Sequence, residues 1–293
     1  MSRAFVIVAN SEAGSSDEAK VEAAQGALRA AGPVAVVACG SPDDLDKALG
    51  GLEGRTLVVA GGDGSLHLAV QRLQAIDPEE LASTPIGLIP LGTGNDFARG
   101  LGLPLDPTEA AKRCLQGGSR RLDLLITDDG QVVVNASHAG LGALAAEQAE
   151  GLKPRLGPAA YPLGALIAGA GEAGDLTVTV DGQVLSQGPT LMVGIANGPF
   201  IGGGAALAPD AQPDDGLFDV VVSTAVAPMA RIAFAAALRN GRHLERDDVL
   251  HRRGTRVRIA GDPVPHDMDG EVIQARRSLE YRVVPGAWQL LGG

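Results

Sequence analysis

Short apolar segments alternate with helix-like segments in the N-terminal part of the chain, and this alternation constrains the fold more than any other feature. The apolar segments read AFVIVAN, PVAVVAC, TLVVAGG and PIGLIPLG. Helices are predicted over 16–31, in SPDDLDKAL, over 65–75 and from about Asn95 onward. Continuous apolar runs joined by helices are typical of a parallel sheet that is covered on both faces. We therefore predict an N-terminal doubly wound parallel α/β domain.

The pattern changes after Arg121, where strand-like segments follow one another closely. They read RLDLLIT, QVVVNAS, DLTVTVDG, TLMVGIAN, LFDVVVS, RVRIAG and LEYRVV, and DDGQ and VDGQ are typical hairpin turns. Helices are predicted over 139–150, 161–171 and 227–240. We predict a C-terminal antiparallel β-sandwich-type domain, with a ligand cleft between the two domains.

Composition narrows the classes of partner. The net charge of −11 argues against nucleic acid, because binding to a phosphate backbone needs a basic surface. No apolar segment reaches the about 18 residues of a membrane span. The two cysteines, Cys39 and Cys114, are far apart in the sequence and imply no disulfide framework, which fits a reducing cytoplasm. We expect a cytoplasmic protein, and we leave open whether it forms a homodimer.

Arginines surround the segment APMARIAFAAALRNGRHLER despite the acidic total. They indicate either a peripheral contact with the inner face of a membrane or a solvated helix end, and the sequence leaves both readings open. These residues are Arg231, Arg239, Arg242, Arg246, Arg252 and Arg253.

Three glycine-rich turns each follow a predicted strand: NSEAG, GGDGS and LGTGND. In a parallel sheet such turns meet at the carboxyl edge, where backbone N–H groups and helix N-termini bind phosphate. None of the four lysines follows a glycine turn, which argues against a P-loop NTPase. GGDGSL also lacks the spacing of a dinucleotide-binding GxGxxG. An acid in a phosphate turn makes chemical sense when a metal ion lies between the two.

GGDGS and PLGTGNDFARGL together resemble the nucleotide-binding half of the diacylglycerol kinase catalytic family, the soluble bacterial lipid kinases related to diacylglycerol and sphingosine kinases. IANGPFIGGGAALAPDAQPDDGLFDVVV is similar to the long central signature of that family, and MDGE resembles its catalytic segment. The resemblance implies a nucleotide-binding domain like those of NAD kinases and phosphofructokinases. It implies a domain over 1–122, to which about 284–293 return, that binds ATP, and a domain over 123–283 that binds the lipid acceptor.

The activity implied by the resemblance is transfer of the ATP γ-phosphate to a lipid hydroxyl, first of all that of diacylglycerol to give phosphatidic acid. Phosphatidylglycerol and a sphingoid base stay open as acceptors. An NAD kinase-like enzyme and a non-catalytic lipid-binding relative are the alternatives.

Site residues follow from the resemblance position by position. Those that would border ATP are Asn10, Ser11, Glu12, Ala13, Gly14, Gly62, Asp63, Gly64, Ser65, Leu66, His67, Leu68, Thr93, Asn95 and Asp96. Those that would hold the catalytic Mg²⁺, largely through water, are Asp63, Asp96 and Asp123. A second, structural Mg²⁺ would be held by Gln212, Asp215 and Leu217, the outer two through backbone carbonyls.

Glu271 would be the general base, supported by Asp269. In HDMDGEV, Asp267, Asp269 and Glu271 alternate, so that in an extended segment they would point the same way and raise the basicity of one member. The chain departs from the family pattern at Ser11, where proline is usual. It also has His67-Leu68 where Asn-Glu is usual, so that a carboxylate near the nucleotide is lost.

Overall fold

The structure is a computed structural model that describes residues 3–11, 15–140 and 173–293. It divides into two compact units, one formed by Met1–Leu122 with Gly286–Gly293 and the other by Asp123–Pro285. The chain passes from the first unit to the second within β5, Ser119–Thr127, and returns within β16, Glu271–Leu291.

The first unit is a parallel sheet with helices. Its strands are β1 Phe5–Asn10, β2 Val34–Cys39, β3 Thr56–Gly61 and β4 Pro85–Pro90, and its helices are α1 Ser15–Leu28, α2 Pro42–Gly50, α3 Asp63–Ile76, α4 Pro78–Ser83, α5 Asp96–Gly100 and α6 Pro107–Gln116. The strands lie in the order β16-β4-β3-β1-β2, and every pairing in this row is parallel. The carboxyl ends of β1 to β4 therefore meet at one edge.

Strands β1, β3 and β4 are buried on both faces, which explains their continuous apolar sequences, whereas the edge strand β2 is partly exposed. On one face Phe5, Ile7 and Val58 pack in a cluster with residues of α1 and α6. The alternate residues of the same strands, such as Val6 and Leu57, are equally buried. Burying one such side chain contributes about 1.5–3 kcal/mol, so the strands rather than helix propensity hold this unit together.

The second unit is antiparallel. Its remaining strands are β6 Val132–Val133, β7 Ala136–Gly140, β8 Gly174–Val180, β9 Gln183–Thr190, β10 Met192–Ala196, β11 Phe200–Ile201, β12 Ala205–Ala206, β13 Phe218–Ser223, β14 Val249–Gly254 and β15 Arg256–Met268. They are joined by helix α7, Pro228–Arg239, and a short 3₁₀ helix, His243–Glu245. One row runs β14-β13-β10-β7-β15-β16, β8 and β9 extend from β15, and β11 pairs with β12.

Strand β13 shows how the second unit is layered, because all six of its residues are buried. Phe218, Val220 and Val222 belong to one apolar cluster, together with residues of β8, β10 and β15. Val221 belongs to a second cluster, which contains Phe234 of α7. The strand is therefore covered on both faces, by β residues on one and by α7 on the other.

The predicted fold class is confirmed, with parallel α/β in the first unit and antiparallel β in the second. The helix expected over 139–150 is wrong at its start, because 136–140 form β7, which pairs with β10 and β15. The rest of that segment and the helix expected over 161–171 lie outside the described residues. The helix expected over 227–240 is α7.

Candidate functional site

The GGDGS turn joins β3 to α3 through a single residue, Gly62, since β3 ends at Gly61 and α3 begins at Asp63. Gly62 is the N-cap of α3 and has no side chain that could cap the helix. The first N–H groups of α3 are thus directed at the carboxyl edge of the sheet, and the partial positive charge of the helix N-terminus lies there.

Asp63 connects this turn to the next one. Its Oδ2 accepts a hydrogen bond from the backbone N–H of Asp96, and its Oδ1 accepts one from the N–H of Phe97, both at 3.0 Å. These N–H groups belong to the first turn of α5, whose own N-cap, Asn95, makes no side-chain cap. The acid of one glycine turn therefore caps the helix that follows the other.

Two glycines bring these turns into backbone contact. A Cβ on Gly62 would lie 3.0 Å from the Cα of Gly92, and a Cβ on Gly92 would lie 2.7 Å from the Cα of Gly62. On Gly61 a Cβ would lie 2.3 Å from the Oγ of Ser65. Gly64 differs, because its Cβ would meet no atom of the described residues within 4 Å. Packing among the described residues thus requires glycine at three of these positions but not at Gly64.

The second turn is held by its asparagine. Asn95 has a left-handed backbone, with φ 49° and ψ 45°, and its Nδ2 donates to the carbonyl of Gly92 at 2.7 Å. Asparagine tolerates this conformation better than most residues. Beyond it, Phe97 stacks on Trp288 of β16 with ring centroids 5.7 Å apart, which anchors α5 to the returning strand.

A cavity of about 260 Å³ opens at the same edge of the first unit. The ends of β1, β2 and β3 line it, and Asn10, Ser65 and Leu68 are among the lining residues. These three are among the residues expected to border ATP, and the same cavity is also lined by Cys39 of β2 and Leu45 of α2, which the sequence prediction does not include. The rule that ligands bind at the carboxyl edge of parallel strands would have pointed to the end of β2 as well.

The remaining residues predicted to border ATP differ in exposure. The side chains of Leu66 and His67 are buried in α3, whereas those of Ser11 and Thr93 are exposed. The N–H of Ser11 donates to the carbonyl of Cys39 at 3.0 Å, which extends the pairing of β1 with β2. Glu12, Ala13 and Gly14 lie outside the described residues.

In the second unit, MDGE forms a tight hairpin between β15 and β16. Met268 pairs with Glu271, and Asp269 and Gly270 make the turn with φ values of 53° and 95°. Positive φ at both central residues is the conformation that favours Asp-Gly in two-residue hairpins. Glu271 is exposed at the first position of β16.

Asp269 fastens this hairpin to the neighbouring chain. Its Oδ1 accepts hydrogen bonds from the N–H groups of Asn135 and Ala136, both at 2.9 Å, and its Oδ2 accepts one from Val134 at 2.6 Å. The prediction that Asp267, Asp269 and Glu271 share one face of an extended segment is wrong, because Asp269 lies in the turn.

A buried polar network lies behind the hairpin. The Ser137 hydroxyl donates to the carbonyl of Asp267 at 2.7 Å and lies 3.0 Å from the Tyr281 hydroxyl, which is 2.8 Å from Nδ1 of His266. Because the Ser137 hydroxyl proton is already donated to Asp267, the Tyr281 hydroxyl donates to the Ser137 oxygen. Nδ1–H of His266 then donates to the Tyr281 oxygen. Burial lowers the pKa of His266 to about 4, with a further lowering by His138.

The predicted second metal site is a loop over 212–217, and two side chains hold it. Oδ2 of Asp123 accepts a hydrogen bond from the N–H of Gly216 at 2.7 Å, and the N–H of Asp123 donates to the carbonyl of Pro213 at 2.7 Å. The Asp215 carboxylate binds the guanidinium of Arg253 and also accepts the N–H of Leu217 at 3.0 Å.

The two predicted metal sites differ in how well their residues suit Mg²⁺. Within the described residues, no three His, Cys, Asp or Glu side chains are grouped as metal ligands. Asp63 nevertheless fits a water-mediated Mg²⁺ site, since neutral amides take only part of the acceptor capacity of its carboxylate. Asp215 does not fit one, because a cationic guanidinium already binds its carboxylate.

Comparison with known proteins identifies two family models along the chain. The diacylglycerol kinase catalytic domain matches residues 3–126, and the YegS C-terminal NAD kinase beta sandwich-like domain matches residues 135–292. The resemblance noted in the sequence is thereby confirmed.

Curated relatives match over most of their length. A "Probable lipid kinase YegS-like" protein of Stenotrophomonas maltophilia is 35% identical over 243 residues, 78% of this chain and 76% of that protein. Its namesake in Xanthomonas euvesicatoria is 31% identical over 258 residues, 81% of each chain.

Solved structures agree on the fold. A putative diacylglycerol kinase from Bacillus anthracis superposes with a TM-score of 0.80 at 24% identity and covers 99% of this chain and 97% of its own. Yeast NADH kinase complexed with NADH gives a TM-score of 0.52 at 14% identity, with 98% and 82% covered. This chain belongs to the YegS-like family, which joins a diacylglycerol kinase catalytic domain to a YegS C-terminal domain.

Proposed function

We propose that this protein is an ATP-dependent lipid kinase that transfers the γ-phosphate of ATP to a lipid hydroxyl. The observation that carries the proposal is the pair of hydrogen bonds from α5 to Asp63. They hold two glycine turns, two helix N-termini and two carboxylates together at the carboxyl edge of a parallel sheet. Phosphoryl transfer needs this combination, because it depends on positioning and charge neutralisation.

The first unit, over 1–122 with the returning end, is proposed to bind ATP. The phosphates lie against the turns of Gly62–Ser65 and Thr93–Asp96, where backbone N–H groups of the first turn of α3 face them. The nucleoside enters the cavity beside Leu68. Leu68 gives this wall an apolar side chain where relatives usually have a carboxylate, so binding of the base relies on apolar contact.

Asp63 and Asp96 of the first unit, with Asp123, are proposed to hold Mg²⁺. The ion supplies neutralisation of the phosphate charge when bound. Asp63 has a fixed orientation for this role, because α5 holds both of its oxygens. Asp123 is likewise oriented by Gly216.

The second unit, over 123–283, is proposed to present the lipid and the general base. Glu271 accepts the proton of the lipid hydroxyl while the oxygen of that hydroxyl forms a bond to the γ-phosphorus. The bond from that phosphorus to the β–γ bridging oxygen breaks, and ADP leaves. Such a base contributes roughly 10²–10⁴-fold to the rate. Asp269 supports Glu271 indirectly, since it fixes the turn from which Glu271 starts.

Diacylglycerol is the proposed acceptor, with phosphatidic acid as the product. The test is incubation with labelled ATP, Mg²⁺ and a total lipid extract, with the product identified by mass spectrometry. Phosphatidic acid is expected. Labelled phosphatidylglycerol phosphate or labelled sphingoid-base phosphate would change the proposed acceptor only. Labelled NADP without a lipid product would replace the proposal by NAD kinase activity. Absence of ATP binding in calorimetry would favour a non-catalytic relative.

Glu271→Gln tests the general base. This variant should lose at least about 100-fold in turnover while its melting temperature stays near that of the unmodified protein, because Glu271 is exposed. Glu280→Gln is the matched control, since Glu280 lies on the same strand and binds Arg256. A fully active Glu271→Gln variant would reject Glu271 as the base.

We also propose that α7 provides a peripheral membrane contact. No helix in the described ranges has the length and apolarity to cross a bilayer. Met229 and Ile232 lie one turn apart on α7 with exposed fractions of 75% and 44%. Arg242, Arg246 and Arg253 of the arginine cluster bind Glu245, Asp248 and Asp215, respectively, so apolar insertion rather than net charge carries this contact.

A further inference from the structure

The loop over 212–217 is the place where relatives are expected to hold a structural Mg²⁺, and in this chain a guanidinium lies there instead. We propose that Arg253 replaces the metal ion, so that a permanent side-chain cation holds the loop. This assignment needs neither ATP nor lipid, and it does not rest on kinase activity.

Arg253 reaches the loop from the adjacent strand. It lies on β14 directly opposite Asp219 of β13. Its guanidinium binds Oδ2 of Asp215, and its Nε lies 3.5 Å from Oδ2 of Asp219. One arginine therefore bridges the acid in the loop and the acid at the start of the following strand, as a divalent ion between two carboxylates would.

Asp219 makes this bridge stiff, because its side chain is only 4% exposed. Its other oxygen, Oδ1, lies 2.6 Å from Nε2 of His251, which stands two residues before Arg253 on the same strand. A buried carboxylate needs such partners, since an uncompensated buried charge is strongly destabilising. Arg253 thus compensates the buried charge of Asp219 and at the same time forms an ion pair with Asp215.

The loop backbone also donates hydrogen bonds to two carboxylates, those of Asp215 and Asp123. The N–H of Leu217 donates to Oδ1 of Asp215 at 3.0 Å, which forms an Asx turn. The N–H of Gly216 donates to Asp123 at 2.7 Å. The donors of two successive residues therefore face carboxylates, and the charge left on Asp215 is balanced by Arg253.

The replacement has a consequence for Asp123, which is buried at 1% exposure. Two residues of the loop that Arg253 holds contact Asp123. The carbonyl of Pro213 accepts a hydrogen bond from the N–H of Asp123, and the N–H of Gly216 donates one to the Asp123 carboxylate. Arg253 therefore acts as a positioning residue for Asp123. Arginine stays protonated at any physiological pH and does not dissociate, so this position is independent of free Mg²⁺.

The test compares melting temperatures of the full chain without nucleotide, after treatment with EDTA and again with added Mg²⁺. If the proposal holds, Mg²⁺ shifts the unmodified protein and Asp215→Asn equally, because any binding occurs elsewhere. A larger Mg²⁺-dependent rise in the unmodified protein, with one bound equivalent that Asp215→Asn lacks in elemental analysis, would overturn it.

A double-mutant cycle measures the ion pair itself. Arg253→Met and Asp215→Asn should each lower the melting temperature, and the double variant should lose about 2–4 °C less than the sum of the two. Additive losses would reject the pairing. Arg256→Met is the matched control, because it removes an ion pair with Glu280 on the same unit and should show no coupling with Asp215→Asn. If Arg253→Met does not fold, Arg253→Gln removes the charge but keeps hydrogen-bond donors for Asp219, and it takes the place of Arg253→Met in the same cycle.

Discussion

The Gly64→Ala variant distinguishes the effect of this glycine on stability from its effect on ATP binding. Gly64 lies in the first turn of α3, and its Cβ would meet no atom within 4 Å in the part of the chain that the structure describes. Alanine is the better helix former by about 0.5–1 kcal/mol, which corresponds to a rise of very roughly 1–4 °C in melting temperature. The variant is expected to be at least as stable as the unmodified protein.

ATP binding should move in the opposite direction. The added methyl group fills the space through which a phosphate oxygen would approach the turn at Gly64. Loss of one hydrogen bond to a charged group costs about 1.5–3 kcal/mol, which weakens binding roughly 10- to 100-fold. Stability and affinity should thus change with opposite signs in one variant.

Calorimetry measures the affinity, and the fluorescence of the single tryptophan, Trp288, gives a second readout because it stacks on Phe97 beside Asp96. Gly62→Ala is the control, since its Cβ would approach Gly92 and should lower stability. A Gly64→Ala variant that is stable and binds MgATP with unchanged affinity would refute the proposed placement of the phosphates.

Four further outcomes are expected. Asp63→Ala should lower the free energy of unfolding by about 1–2 kcal/mol, because α5 loses its cap, and calorimetric scanning measures this. Asp269→Asn should cost about 1–3 kcal/mol in urea unfolding, since three N–H groups share fewer acceptors. The pKa of His266 is lowered by burial to about 4 from the usual 6.5, so the unfolded chain binds more protons in this window. Stability should therefore fall by up to about 3 kcal/mol as pH drops from 6.5 to 4, and His266→Gln should flatten that slope. Met229→Ser should weaken vesicle co-sedimentation to the same degree with neutral and with anionic lipid.

The parallel unit could be predicted in detail because its signals are local. Each apolar run is long enough for one strand, and each ends in a turn that glycine permits. The β7 strand could not be predicted in this way, since 136–140 are followed by residues rich in alanine and leucine that favour a helix. Its pairing partners, β10 and β15, are distant in sequence, and tertiary pairing outweighs local propensity there.

The motifs identified the acids of the site but not what those acids contact. Asp63 caps a helix that starts 33 residues later, and Asp269 binds N–H groups more than 130 residues earlier. Neither contact leaves a periodic signal in the sequence. Alternation of acids in HDMDGEV suggested one extended face, but the preference of Asp-Gly for a two-residue turn was the stronger local signal.

A structural role for an acid does not by itself exclude a metal, and Asp63 and Asp215 show what decides the matter. A carboxylate offers about four lone pairs, and the two amides on Asp63 use two of them and bring no net charge. The negative charge of Asp63 therefore remains available to a hydrated cation. Asp215 also accepts one amide, but its second partner is a full positive charge that would repel a metal ion. The charge of the partner, rather than the number of hydrogen bonds, therefore distinguishes the acid that suits Mg²⁺ from the acid that does not.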